Sequence, residues 1–223
     1  MGPAQICIAR GGNASKKCAI HALTQPMPDN LYLNLWFSDS ELVETFAHAA
    51  AVMQQLPFSV QLPGITGVAV HPISWGEATI LEENFRPGIS PEEAVTIAAG
   101  LSHEDYAYVF EAHWELWSPL IPQGEWTLRP SPVKFIVRGD EFEDAESDIH
   151  GQLQIDFGLD TPFLYEELQL SDELESKVRS NVQKLVDFTA LVEKNSGAKT
   201  RLLWSESEEN LAQKLVARLQ RVN

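Results

Sequence analysis

Apolar and polar positions alternate most regularly over residues 105–117. Tyr106, Tyr108, Phe110, Ala112, Trp114 and Leu116 fall on one side, and Ala107, Val109, Glu111, His113, Glu115 and Trp117 on the other. A period of two over that length predicts a long strand with one buried face. Residues 31–37 repeat the pattern in miniature, with Leu31, Leu33, Leu35 and Phe37 opposite Tyr32, Asn34 and Trp36. Between these segments the period lengthens. Leu42, Phe46, Ala49, Ala50, Met53 and Leu56 recur at helical spacing, after Ser38 and Glu41 in capping-box positions and before Pro57. Residues 65–73, rich in β-branched side chains, and residues 75–85 read as two adjacent strands. Ser90-Pro91-Glu92-Glu93 is the strongest local signal in the chain. It sets Ser at the N-cap, Pro at the first helical position and Glu at the third, ahead of an apolar stripe through Ala94, Val95, Ile97, Ala98 and Leu101.

Residues 31–117 therefore run strand, helix, strand, strand, helix, strand. That is the element order of a ferredoxin-like β-α-β-β-α-β unit. It predicts an α+β fold, with an antiparallel or mixed sheet and helices on one face. Residues 120–132, with Pro122, Gly124, Pro130 and Pro132, read as a connecting arm. Residues 133–138 and 151–157 are strand candidates joined across an acidic tip. Residues 171–195 predict a long helix buried along Leu174, Val178, Val182, Leu185, Phe188, Thr189 and Val192, and Gly197 ends it. Residues 200–204 read as a short strand. Ser205 and Glu208 stand in capping-box positions before a last helix with Leu211, Leu215, Leu219 and Val222. The organisation expected is a poorly ordered lead at 1–28, a ferredoxin-like unit at 29–120 and a second α+β unit at 121–223. The second unit is either a degenerate copy of the first or a continuation of one sheet.

Charge narrows the function classes. The chain has 223 residues and a formal net charge of −16. Residues 1–17 carry three bases and no acid, residues 139–176 carry 13 acids and no base, and Lys134 and Arg138 stand between two acidic stretches. Phosphate binding needs clustered Lys and Arg, so nucleic acid is not an expected partner. No apolar run approaches the ~20 residues that span a bilayer. The start of the chain lacks the charged, apolar and small-residue succession of a signal peptide, so a cytoplasmic location is expected. Cys7 and Cys18 fit neither a redox pair nor a zinc site by spacing. Nucleophile elbows and phosphate-binding glycine loops are also missing from the sequence. No cofactor is expected.

Two groups of residues remain as candidate sites. Glu111, His113 and Glu115 stand at i, i+2 and i+4 on one strand face, roughly 6.5–7 Å apart. His71 on a neighbouring strand would complete a metal or acid–base set. Tyr32 and Trp36 on the leucine-free face of the first strand, and Asp140, Glu141, Glu143, Asp144, Glu146 and Asp148 in the acidic tip, are candidates for an interaction surface. The tip does not fit a calcium loop in either register, because Phe142 or Ile149 falls where a ligand or glycine is needed. The first expectation is a non-catalytic module that binds another protein or itself as a homo-oligomer, in one form an acidic inhibitor of a basic partner. The alternative is a metal-dependent hydrolase or small-ligand binder using the Glu111, His113 and Glu115 face.

Overall fold

The long alternating segment forms β4 (Tyr106–Pro119), and the rest of the sheet is built outward from it. A computed structural model describes residues 29–38, 41–119, 125–143, 147–165, 170–206 and 210–220. The elements are β1 (Asn30–Trp36), α1 (Leu42–Met53), β2 (Ile65–Pro72), β3 (Leu81–Ile89), α2 (Pro91–Ala99), β4, β5 (Trp126–Arg138), α3 (Ser147–His150), β6 (Leu153–Leu159), α4 (Thr161–Leu164), α5 (Asp172–Asn195), β7 (Thr200–Ser205) and α6 (Leu211–Gln220). Seven strands form one antiparallel sheet in the order β3-β2-β4-β5-β6-β1-β7.

That order corrects the ferredoxin-like expectation. A ferredoxin-like unit keeps its first strand beside its own third and fourth strands. Here β1 is inserted between β6 and β7, and β4, β5 and β6 separate it from β2. Hydrophobic alternation decides which face of a strand is buried, but not which strand lies next to it. The fold is α+β, and strands from both halves of the chain share the sheet.

One face of the sheet is covered by helices. Directly paired residues share a face, so Val68, Phe110, Phe135, Ile155, Leu33 and Leu203 form a row across six strands. α1 packs Phe46 edge-on to Tyr108, with ring centres 4.8 Å apart. α5 brings Phe188 to Trp114 and Phe157. Ala94 and Ala98 of α2 and Leu211 and Leu215 of α6 join the same core. Large aromatic groups dominate it, which suits a sheet whose twist leaves unequal gaps beneath straight helices.

Local chemistry explains several boundaries. The Ser90 hydroxyl accepts from Glu93 N, and the Glu93 carboxylate accepts from Ser90 N, closing the expected capping box. α1 starts later than its box predicts. Its N-cap is Glu41, with no side-chain bond, and Ser38 lies outside the helix. Ser205 ends β7, and its hydroxyl donates to buried Asp160. Glu208 lies outside the described residues.

The expected connecting arm is partly strand. β5 runs from Trp126 and pairs with β4 through Pro130 and Pro132. Even-numbered amides of β5 point away from β4, as the bond from Arg138 N to Gln152 O shows. β6 pairs only with residues 134–137 of β5. The two missing proline N–H groups therefore fall on an edge that has no partner strand to satisfy, which is where a strand tolerates proline.

Candidate functional site

The other face of the sheet carries the polar residues. Its longest row runs Asn84, Gly67, Glu111, Lys134, Asp156, Tyr32 and Trp204 across all seven strands. The next row is smoother, with Glu82, Ala69, Val109, Ile136, Gln154, Asn34 and Leu202. A third brings His71, Ala107 and Arg138 together on β2, β4 and β5. Small side chains at Gly67 and Ala69 lower the floor at β2, and larger ones rise around it. The result is a depression of about 550 Å³, within the usual range for small-molecule sites of roughly 300–1,000 Å³.

Connecting segments wall one end. Residues 73–80 carry Trp75 over the face, where its ring centre lies 4.9 Å from that of His71 and 5.0 Å from that of buried Phe142. Trp75 N donates to Glu143 Oε1, and Glu143 N donates to Ile73 O, which ties this segment to residues 139–143. Gly139 lets that second segment pass against the chain before β4, since a Cβ there would strike the Glu104 carbonyl.

Arg138 is only 4% exposed. Its guanidinium lies against Trp75 and donates to Gln154 Oε1 at 2.8 Å, and Gln154 Nε2 donates onward to Asn34 Oδ1 at 3.0 Å. This buried chain links β5, β6 and β1 beneath the wall, and it accounts for the burial of three polar side chains on the polar face. Lys134 differs. It is exposed, and among the described residues it makes no ion pair or hydrogen bond. Its charge acts through space on Asp156 and on His71.

Partial desolvation governs the titrating groups. Burial raises the Asp156 carboxyl above its ordinary range, against a bond accepted from Gly158 N and the pull of Lys134. Burial lowers His71, whose Nδ1 is enclosed without a partner among the described residues. Burial raises Tyr32, whose hydroxyl accepts from Asn30 Nδ2. Each shift favours the neutral form, as expected where water is thinned.

The residues of the expected metal set fall at three successive same-face positions along β4 and at one on β2. His71 and Glu111 line the depression. His113 lies further along β4, its Nδ1 3.2 Å from Thr66 Oγ1 and its Nε2 3.8 Å from Glu111 Oε1. Glu115 accepts from Ser59 Oγ at 3.2 Å, one further step along the strand. Among the described residues, no group of three or more His, Cys, Asp or Glu is placed to hold a metal ion.

Of the expected interaction residues, Tyr32 lines the depression and stacks on Trp204 at 4.9 Å. Trp36 is on the same face, at the end of β1. Asp140 and Glu141 are exposed, and Glu143 is held by Trp75. Asp144 and Glu146 lie outside the described residues, as does the side chain of Asp148. The remaining described acids of residues 139–176 are dispersed. Asp156 is in the depression, Asp160 is buried against Ser205, and Glu175 is paired with Arg218 near α6.

Sequence reasoning missed Lys134, Arg138 and Asp156 as site residues. One signal was present: Lys134 and Arg138 are two of only four bases between residues 18 and 138. No family model, no curated protein and no solved structure matches this chain.

Proposed function

We propose that this protein is a binding protein for a small polar molecule, held in the depression on the polar face of the sheet. The carrying observation is the depression itself, with a floor that drops at Gly67 and Ala69 while charged and aromatic side chains surround it. Pockets of this size with convergent polar groups and shifted titrations are the usual seat of ligand recognition. Binding is favoured over turnover because the His71 Nδ1 has no hydrogen-bond partner among the described residues to orient the ring as a general base. The dispersal of the described acids of residues 139–176 weighs against a single acidic docking face.

The test is a thermal-shift screen of small charged and polar metabolites, repeated on Ala69→Phe and Gly67→Phe. A Cβ at Gly67 would make only ordinary contacts, the nearest 3.4 Å from Glu111 Cβ. Both variants therefore fill the depression from the floor without disturbing the core. Hits that stabilise the wild type and lose their effect on both variants support the reading. Hits indifferent to both variants, or a screen that stabilises neither protein, overturn it.

A further inference from the structure

We infer that the ligand is an amino acid bearing a second, side-chain amine, held with its ammonium groups toward Glu111 and Asp156 and its carboxylate toward Lys134. This inference rests on the depression being a ligand site and names the class of molecule it takes.

The first support is an alternation of charge. Glu111 on β4, Lys134 on β5 and Asp156 on β6 are directly opposite one another on three adjacent strands. Neighbouring strands lie roughly 4.8 Å apart, so the sequence acid, base, acid extends over about 10 Å. A diamino acid can meet it with its α-carboxylate on Lys134, the adjoining α-ammonium toward one flanking acid and the side-chain ammonium reaching the other. Among the described residues, the Lys134 ammonium is not consumed by an ion pair with either neighbour. It remains available to a ligand carboxylate.

The second support is the balance of accessible charge. Arg138 lines the depression as well, but it is 4% exposed, bonded to Gln154 and set against Trp75, so Lys134 is the exposed cation there. Glu82, Glu83, Glu111 and Asp156 outnumber Lys134 and Arg138 around the cavity. An anion seated on Lys134 would meet carboxylates on both sides. A zwitterion with an extra amine satisfies all three members of the row, and the field of a chain with net charge −16 draws it in.

The third support is the strip beside the charged row. Ala69, Val109 and Ile136 are directly opposite one another on β2, β4 and β5, and none carries a polar group. A short alkyl chain lying there keeps its methylenes off water while both ends reach charge.

Isothermal titration with L-lysine, L-norleucine and L-glutamate tests the class. L-norleucine keeps the alkyl chain and lacks the second amine; L-glutamate reverses the side-chain charge. L-lysine is expected to bind at least about tenfold more tightly than either. Asp156→Asn and Glu111→Gln are each expected to weaken L-lysine by at least about tenfold. Glu111 is the more exposed of the two, so Glu111→Gln reports even if Asp156→Asn fails to fold. L-glutamate binding more tightly than L-lysine, no L-lysine binding at millimolar concentration, or L-lysine binding indifferent to both substitutions overturns the inference. If L-norleucine or L-glutamate binds the wild type at least as tightly as L-lysine and fails to bind Ala69→Phe, the depression remains a ligand site and only the class is wrong. If binding survives Ala69→Phe, the site reading itself falls.

Discussion

The carboxamide of Asn181 on α5 engages both backbone groups of Trp117 on β4: its Oδ1 accepts from Trp117 N at 2.9 Å, and its Nδ2 donates to Trp117 O at 2.9 Å. A neighbouring strand would make the same two bonds. β2 stops pairing with β4 at Ala112; Ser59 N then donates to His113 O and Lys184 Nζ to Glu115 O, and Asn181 serves the next position along that edge. Nδ2 also donates to Pro162 O, which anchors α4 to the same point. Replacing Asn181 by the similarly shaped Leu strands these buried groups. We expect Asn181→Leu to cost about 2–4 kcal/mol of stability in urea unfolding. A loss near zero would mean that water replaces the carboxamide.

Trp114 is the largest fully buried side chain, and it packs against Phe157, Phe163 and Phe188. Its indole N–H has no partner among the described residues. Truncation to Ala is expected to cost about 3–5 kcal/mol by opening a cavity. Trp114→Phe should cost clearly less, because it also removes a buried donor that makes no bond. Denaturant midpoints of the two variants settle the order, and equal losses would contradict it.

Tyr108 titrates far from its ordinary value of 10.0, pushed up to about 12 chiefly by burial. Its hydroxyl accepts from His103 N and donates to Leu101 O. Between pH 10 and 12 the unfolded chain has released this proton and the folded chain retains it. Stability therefore falls as pH rises through that window. Tyr108→Phe should flatten this alkaline slope while lowering stability at neutral pH by about 1–3 kcal/mol. Unfolding curves collected across that range provide the check.

His71 makes the opposite prediction. Burial holds its imidazole below the ordinary 6.5, so the folded state favours the neutral ring. As pH falls below 6.5 the unfolded chain takes up a proton that the folded chain resists, and stability declines until the folded pKa is passed. His71→Gln should remove that part of the acid slope. A slope that persists in the variant assigns it to the carboxylates instead.

The legibility of this sequence follows the range of the forces involved. Alternation in β1 and β4 and the Ser90–Glu93 box depend on neighbours a few residues away, and these readings match the structure. Strand order depends on pairings such as Asn34 with Gln154, which no local period encodes. The start of β5 was hidden because Pro130 and Pro132 argue for a loop until the missing partner strand on that edge is known. The site was half legible. Alternation put Glu111 on the right face, but the depression draws its walls from β1 to β6, so the grouping of Glu111 with Lys134 and Asp156 is a property of the register. His113 stays beside Glu111, but its other ring nitrogen is at Thr66, and Glu115 is engaged by Ser59 one step further along β4.

The insertion of β1 between β6 and β7 also imposes a timetable on folding. Leu33 pairs with Ile155 on one side and Leu203 on the other. The first strand of the sheet thus has no docking place until the chain has been made through β6, and it is not flanked on both sides until β7 exists. During synthesis its leucine face must wait exposed or be shielded. Closing such distant contacts puts the chain among slow folders, on a scale of roughly milliseconds to seconds. Late assembly also means that the Asp156–Tyr32 side of the depression forms only when the last strands close around β1.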